Sequence, residues 1–484
     1  MKTNNFKRID LLILFFILAI AVFFRLYKIS TPLADFHSWR QVDTSAVTRN
    51  FVKNGIDLLH PIYDDLSNVQ SGMDNPNRYR MVEFPIYNAI VAVLYSTFPF
   101  TSIEIWGRLT TIIFSLIIIS IIYYLLLKEN SRRSAIFASL LYSIFPFFVF
   151  FSRVVLPETT ALAFAMLSIF FLYLHVDRKQ KGFSGFFSSA LAAFFFASAL
   201  LVKPTVIFYL LPALVLFYRK YRLNLIIKLD FYLYFLITLI PLFVWRIYIK
   251  NYPAGIPGSD WLFTSVNTSE GLKNIMFRPS FFRWIFFERI NNLILGGYMT
   301  FFFLLGVISR QKNKLILSFL IATLTYILVF QGGNVQHEYY QTLILPVLAM
   351  MIGLGIDFIF ENQKNFINIF FVSLFIFLSF GFSFYFSYFR VIDYYQYSQE
   401  LVQEAKIINS LTYKNDLIVT DRTGDTTLLY LSERRGAPSI FKDPADLKKL
   451  GYKYLITSSE GQISSMKSEF KIVFENEKFT LFRL

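Results

Sequence analysis

Side chains able to handle a proton and a phosphate crowd into one short stretch that follows the first apolar segment. It contains two carboxylates, Asp35 and Asp43, with the cation Arg40 between them. A positioned carboxylate can take a proton from a hydroxyl group, and a cation can neutralise a departing phosphate. The stretch therefore has the residue types for group transfer from a phosphate donor. His37 and Gln41 add further hydrogen-bonding groups.

Similar side chains recur where other apolar segments begin or end. Arg153 precedes a proline, and Glu158 follows it at the expected start of a helix. Lys203 lies between two apolar segments, where a positive charge is costly unless an anion or the lipid headgroups meet it. His337, Glu338, Tyr339 and Tyr340 enter a later apolar segment. Together these residues suit glycosyl transfer from a lipid phosphate.

Each of these residues also has a structural interpretation. Ser38 to Asn54 is compatible with a helix that ends at Gly55, and on it Arg40 and Asp43 are close enough to pair. Asp35 would then cap this helix, and the helix dipole alone would favour a carboxylate at Glu158. A single interfacial Lys or His is usually a headgroup contact.

The elements that position these residues are membrane helices. The 484 residues are 55% hydrophobic and 16% charged, whereas soluble proteins are about 25% charged. About eleven apolar runs are long enough to cross a bilayer. The first is interpreted as a retained anchor, since no cleavage site follows it. The runs cover residues 10–29, 105–127, 134–151, 158–176, 186–201, 204–218, 225–247, 290–309, 315–331, 340–359 and 366–389.

The net charge of +15 is explained by topology. Lys and Arg concentrate in alternate short loops, such as 128–133 and 219–222, which the positive-inside rule places in the cytoplasm with the N-terminus. No nucleic-acid partner is therefore expected. This topology requires the apolar segment 86–100 to lie on the outer surface. Two long outer segments result, residues 30–104 and an aromatic-rich, membrane-lying loop at 248–289.

The chain changes character after Arg390. It becomes polar, with β-type runs that predict a small α/β domain outside the membrane. We therefore expect a membrane module over 1–389 and a separate domain over 390–484. The β-type runs are Asp416–Asp421, Thr427–Leu431, Tyr454–Thr457, Lys471–Phe474 and Phe479–Leu484.

Residue types that are missing from the sequence narrow the chemistry. The chain has no cysteine, which excludes disulfides, thiol nucleophiles and Cys-based metal sites. It has no glycine-rich phosphate loop, so a soluble nucleotide sugar is not the expected donor. A lipid-linked donor fits a site at the membrane face.

At these residues the sequence resembles the polyprenyl-phosphate-sugar-dependent glycosyltransferases of the GT-C fold, a family that includes protein O-mannosyltransferases and the aminoarabinose transferase of lipid A. Such enzymes place an essential acid just after the first span and often another in the second outer loop. The resemblance implies Asp35 or Asp43 for the first and Glu158 for the second. The family often has an adjacent Asp-Glu pair at the first site, whereas this chain separates its acids, so both remain candidates. The motifs that carry the resemblance are Phe36–Thr44 running into Arg49–Phe51, Glu83–Tyr87, Arg153–Glu158, Lys203–Pro204 and His337–Tyr340.

The resemblance also implies roles for the other polar residues. Glu83 would line the acceptor side together with His37 and Gln41. The residues specify no cofactor, although some GT-C enzymes need a divalent metal that carboxylates and one His could ligate. The residues expected to hold the donor phosphate are Arg40, Arg153, Lys203, His337, Tyr339 and Tyr340.

The sequence therefore predicts an all-α, multi-pass, GT-C-like membrane protein with a small extracytoplasmic α/β domain. Its expected activity is inverting transfer of a sugar from undecaprenyl phosphate to a hydroxyl of an envelope glycan, lipid or protein. It would act at the outer face of the bacterial inner membrane, among membrane lipids. The alternative is a lipid or oligosaccharide transporter, or a scaffold of a glycan assembly complex. The scarcity of charges inside the apolar runs argues against transport.

Overall fold

A computed structural model describes residues 6–177, 183–259, 263, 275–309, 313–363 and 368–484. Over these residues the chain is mainly helical, with one five-stranded sheet near the C-terminus. A helical protein with several apolar helices and a small C-terminal sheet is therefore confirmed. Residues 260–262 and 264–274 of the predicted aromatic loop at 248–289 lie outside the described residues.

The helices and strands have the following bounds. The α-helices are α1 Arg8–Arg25, α2 Ser38–Asn54, α3 Ile86–Thr97, α4 Ile103–Glu129, α5 Arg132–Ile144, α6 Pro146–Phe151, α7 Glu158–Asp177, α8 Phe183–Val202, α9 Leu210–Tyr221, α10 Leu229–Tyr248, α11 Pro279–Phe282, α12 Met299–Ser309, α13 Lys314–Val329, α14 Gln331–Gln336, α15 Leu345–Asn362, α16 Ile369–Val391, α17 Gln399–Leu411, α18 Thr427–Leu431, α19 Pro444–Lys449 and α20 Glu460–Met466. The strands are β1 Leu417–Thr420, β2 Arg435–Ala437, β3 Tyr452–Thr457, β4 Lys471–Glu475 and β5 Thr480–Arg483.

Helices occupy all the apolar runs that the sequence predicts, but many are short or broken. Five of the described helices are long and apolar enough to cross a membrane, beginning at Ile103, Glu158, Leu229, Glu338 and Ile369. A sixth is counted if the pair 279–294 and 299–309, bent by 117°, forms one span. The run 134–151 is interrupted at Phe145 because the following proline disfavours helical geometry there. The number of spans and their orientation stay predictions.

The described residues form two compact units. The first, here called the helical unit, comprises 1–29, 108–245 and 259–394. Its helices α12 and α15 pack backbone against backbone at Gly306 and Gly355. A Cβ atom at either glycine would lie 1.9 Å from a carbonyl oxygen of the opposite helix. Such close contact through small residues is typical of membrane helix pairs.

The second unit, here called the mixed unit, comprises 30–107, 246–258 and 395–484. Its sheet has the order β2-β1-β3-β5-β4, with β1 parallel to β2 and β3, and β5 antiparallel to β3 and β4. Ile418 and Val419, adjacent on β1, point into two separate hydrophobic clusters, one on each face. The sheet is therefore covered on both sides.

One predicted strand of this sheet is wrong and another strand was missed. Residues 427–431 form helix α18, because a short apolar run buried on all sides has no alternation that distinguishes strand from helix. Strand β2 has only three residues, and its central Gly436 gives no β signal. The predicted strands at β1, β3, β4 and β5 are confirmed.

Gly436 also joins the early and late parts of the chain. Its N–H donates to the Asp64 carbonyl at 2.9 Å, and its own carbonyl accepts from the Leu66 N–H at 2.8 Å. A Cβ atom at this position would lie 1.7 Å from the Ile418 carbonyl oxygen. Residues 64–66 therefore extend the sheet beyond β2, and only glycine fits between the two neighbours. The predicted domain boundary after residue 389 stays a prediction.

Candidate active site

The turn before α2 holds the first predicted acid. His37 adopts a left-handed backbone with φ of +56°, and its carbonyl accepts from the N–H groups of Arg40 and Gln41. The amide of Gln41 donates to Asp35 Oδ1 at 2.6 Å, and Asp35 is buried. Such backbone strain costs about 1–3 kcal/mol and is common at functional sites. The helix α2 and its end at Gly55 agree with the sequence prediction.

Arg40 and Glu83 form a mostly buried ion pair. Arg40 lies in the first turn of α2, and Glu83 precedes α3. The sequence assigned them to opposite sides of the reaction, the cation to the phosphate and the acid to the acceptor. The structure brings them into direct contact.

Asp43 is held through both oxygens by residues that the sequence did not suggest. Its Oδ2 lies 2.9 Å from Arg80 Nη2, and its Oδ1 accepts from the Thr426 hydroxyl at 2.6 Å. Asp43 is only 1% exposed. Thr426 is 383 residues away in sequence, so no local pattern links the two.

The negative charge of Asp43 acts on two further buried carboxylates, Asp65 and Asp64. Burial raises the pKa of Asp65 to about 6, against the hydrogen bonds from Ser67, and the charge of Asp43 adds to the rise. Burial also raises the pKa of Asp64, although its ion pair with Arg49 opposes this. The mixed unit thus concentrates buried negative charge around α2.

Helix α18, which lies in the C-terminal part of the chain, contacts α2 and holds it in place. The Tyr430 hydroxyl donates to Glu104 Oε1 at 2.5 Å and lies 2.7 Å from Ser45 Oγ. The guanidinium of Arg49 lies 4.2 Å from the centre of the Tyr430 ring, within cation–π range. The helix that carries Arg40, Gln41 and Asp43 is therefore fixed by residues near the end of the sequence.

The helical unit brings a second set of predicted residues together. Glu158 begins α7 and Lys203 directly follows α8, and Glu158 Oε1 lies 2.7 Å from Lys203 Nζ. Glu158 Oε2 has no hydrogen-bond partner among the described residues. Lys203 Nζ lies 5.4 Å from the Tyr340 ring centre and 6.0 Å from that of Tyr339. The His337 ring stacks on Tyr339 with centres 5.3 Å apart.

Arg153 has contacts of another kind. Its guanidinium donates to the backbone carbonyls of Tyr27 and Lys28 at 3.0 and 3.1 Å. Arg108 does the same to Ile29 at 2.7 Å. These contacts hold the turn after α1, and the phosphate contact of Arg153 expected from the sequence stays a prediction.

The predicted site residues therefore fall into two groups, one in each unit. The first-loop cluster consists of Asp35, His37, Arg40, Gln41, Asp43 and Glu83. The lysine cluster consists of Glu158, Lys203, His337, Tyr339 and Tyr340. In the part of the chain that the structure describes, no three His, Asp or Glu side chains are grouped closely enough to share a metal ion. We therefore assign no step to a metal.

The chain has the GT-C fold of membrane glycosyltransferases of known structure. The structure of ArnT from Cupriavidus metallidurans bound to undecaprenyl phosphate matches with a TM-score of 0.64 and 13% identity, over 97% of each chain. The apo form of that ArnT gives a TM-score of 0.67 and 11% identity, again over 97% of each chain. The apo oligosaccharyltransferase of Archaeoglobus fulgidus gives 0.59 and 12%, over 93% of this chain and 69% of that one.

About a third of the chain also matches a family model in sequence. Residues 84–246 match the model of the dolichyl-phosphate-mannose-protein mannosyltransferase family, so the resemblance expected from the motifs is confirmed. The match includes Arg153, Glu158 and Lys203 and begins just after Glu83. A search of curated protein sequences gave no significant match.

Proposed function

We propose that this protein is an inverting glycosyltransferase that moves a sugar from undecaprenyl phosphate to a hydroxyl of an envelope glycan, lipid or protein. It would act at the outer face of the bacterial inner membrane. Support comes from the fold, which extends over almost all of an ArnT whose solved complex contains undecaprenyl phosphate. The observation that carries the proposal is the buried carboxylate of Asp35, oriented by Gln41 at a strained turn.

Asp35 is the better candidate for the base because of what holds each acid. Asp43 faces the cation Arg80 and accepts a further hydrogen bond from Thr426. These two contacts hold both of its oxygens in the framework of the mixed unit. Asp35 lies at the strained turn before α2, where the Gln41 amide orients its Oδ1. We therefore assign proton removal to Asp35 and a framework role to Asp43.

The reaction is a single displacement. The acceptor oxygen attacks the anomeric carbon of the sugar while the bond from that carbon to the phosphate oxygen breaks, which inverts the configuration. The hydroxyl proton passes to Asp35, and the bonding electrons leave with the polyprenyl phosphate. The departing phosphate gains one negative charge, which nearby cations stabilise most strongly where water is excluded.

Lys203 is the proposed ligand of that phosphate. An ammonium group is a compact donor with three N–H bonds, and its pairing with Glu158 fixes its direction. The free capacity of Glu158 Oε2 leaves room for one further hydrogen-bond donor there. The tyrosines and His337 would complete the polar surroundings of the headgroup. Arg40, fixed by Glu83, is a second candidate cation.

The proposal is tested by the lipids of cells that lack this gene. Mass spectrometry should detect an accumulated polyprenyl-phosphate sugar, because its consumer is missing. The wild-type gene should remove it, and Asp35→Asn should fail to, since loss of a general base costs about 10²- to 10⁴-fold in rate. The matched control is Asp57→Asn, an exposed acid of the same unit, which should restore the normal profile.

Two results would contradict the proposal. One is full restoration by Asp35→Asn when both variants are present at equal levels in the membrane. The other is a purified protein in detergent that transfers no sugar from the accumulated lipid. The second result, together with movement of the lipid across vesicles, would favour the transporter.

A further inference from the structure

The C-terminal part of the mixed unit contains a polar cleft that the proposed reaction does not use. It lies where β1 and β3 end, next to Arg422 and Ser458. These parallel strands are neighbours, but the chain leaves β1 toward one edge of the sheet and β3 toward the other. In open α/β sheets, ligands bind outside the carboxyl ends of strands at such a switch point.

Buried polar atoms without partners mark this cleft. Glu404, which lines it, is 7% exposed; its Oε2 accepts from Arg422 Nη2 at 2.5 Å, while its Oε1 has no hydrogen-bond partner among the described residues. Arg422 Nε also has no hydrogen-bond partner in the same sense, and it lies 3.8 Å from Asp421 Oδ1. A buried polar group left unpaired costs about 1–3 kcal/mol. Glu404 Oε1 and Arg422 Nε, both on residues that line the cleft, therefore have capacity for a ligand.

The charge of the cleft selects the kind of ligand. Glu404, Asp421 and Arg422 together carry one net negative charge, and at the rim Lys478 neutralises Glu400. A phosphate would be repelled by this charge. The open positions on the lining are one oxygen acceptor, Glu404 Oε1, and one N–H donor, Arg422 Nε. A pair of neighbouring hydroxyl groups matches them, because hydroxyls both donate and accept.

The remaining walls fit a ring with both polar and apolar faces. Phe479, Leu401 and Ile407 supply apolar surface opposite the polar groups. The cavity has a volume of about 210 Å³, smaller than the roughly 300–1,000 Å³ of pockets for drug-sized ligands. It has room for one small ring and not for an extended oligosaccharide.

We propose that this cleft binds one neutral sugar ring, with one hydroxyl donating to Glu404 and a neighbouring hydroxyl oxygen accepting from Arg422. It is a binding site in addition to the proposed catalytic residues. Binding here does not depend on the transferase proposal, since it needs neither the lipid donor nor any reaction.

The test is saturation-transfer NMR on the full-length protein in detergent, with the methyl glycosides of mannose, glucose and galactose as probes. At least one probe should receive saturation from the protein. Glu404→Gln removes the charge and keeps the shape, and should weaken binding about tenfold or more, as expected for loss of a charged hydrogen-bond acceptor. Glu475→Gln, an exposed acid of the same sheet, should bind like wild type.

Folding is checked by the thermal unfolding midpoint of each variant. If Glu404→Gln does not fold, Arg422→Met serves in its place, because Arg422 is 31% exposed and its loss is better tolerated. The proposal is overturned if no probe binds the wild-type protein, or if binding is unchanged in a folded variant. Methyl glucosaminide serves as a fourth, cationic probe, and binding of it alone would also overturn the proposal, since that result would indicate a site for a cation.

Discussion

The first-loop cluster and the lysine cluster contain the same kinds of residues but complete their interactions differently. In the first-loop cluster, Asp43 is matched at one oxygen by Arg80 and at the other by Thr426. In the lysine cluster, Glu158 meets Lys203 with one oxygen, and the other has no partner among the described residues. A satisfied buried network stabilises one arrangement, whereas an incomplete one has capacity left for a ligand.

From this difference we propose a framework role for Asp43 and a ligand-binding role for the lysine cluster, which composition alone could not separate. Both acids are buried and both lie in helices, Asp43 in α2 and Glu158 at the start of α7. Only the number of partners distinguishes them. The following experiments break the ion pair of Asp43 with Arg80 and that of Glu158 with Lys203. Loss of the first should change the stability of the protein, and loss of the second should change substrate binding.

The largest effect is expected from Asp43→Asn. The change leaves Arg80 buried without its counter-charge, and breaking a buried pair costs about 3–5 kcal/mol. We expect a marked fall in the thermal unfolding midpoint of the purified protein. Adding Arg80→Met should recover part of this loss, because the orphaned charge is then gone. Asp74→Asn, which breaks the exposed pair with Lys442, should cost at most about 1 kcal/mol. An unchanged midpoint in Asp43→Asn would contradict the framework role.

A smaller, pH-dependent effect is expected at Asp65. Its pKa is about 6 in the folded protein against 3.8 as the ordinary value. Because the folded pKa is the higher one, the stabilising contribution is full below pH 4 and is lost as the pH rises through 6. The loss amounts to about 3 kcal/mol. Asp65→Asn should therefore remove this fall in stability. The free energy of unfolding of the variant should then rise relative to that of wild type between pH 4 and 7. Parallel pH profiles for the two proteins would show that Asp65 does not titrate in this range.

The smallest effect is expected from Lys203→Met, on substrate binding. Loss of a charged hydrogen bond to the phosphate, about 1.5–3 kcal/mol, should raise the KM for the polyprenyl-phosphate sugar about 10- to 100-fold. The double variant with Glu158→Gln leaves no unpaired buried charge and should fold better while keeping the raised KM. A normal KM in the folded double variant would make the lysine cluster structural, like the pair of Asp43 and Arg80.

Local sequence signals were sufficient for the elements that carry the site. The helix from Ser38 to Asn54, its end at Gly55 and the short helix after Pro85 follow from periodicity and turn residues nearby in sequence. The sequence predicted that Glu158 begins a helix and that Lys203 lies between two apolar segments, and the structure brings the two residues into contact.

Contacts across the whole chain could not be predicted in this way. Nothing near Asp43 indicates Arg80 or Thr426, and nothing near Ser45 indicates Tyr430. These pairs exist because the sheet and α18 lie in the same unit as the first loop, which is a property of the fold. For the same reason, the apolar run at α18 was mistaken for a strand.

The hydrogen bonds between Gly436 and residues 64–66 can form only after the ribosome has synthesised Gly436. At about 5–20 residues per second, roughly 20–70 s of synthesis separate Asp65 from the glycine that completes its edge. By the end of that interval, every apolar segment through α16 has left the ribosome. Until then, the main-chain groups of Asp64 and Leu66 must hydrogen-bond to other partners. A message truncated before codon 436 would therefore give a protein that has its apolar helices but lacks the strand to which residues 64–66 hydrogen-bond.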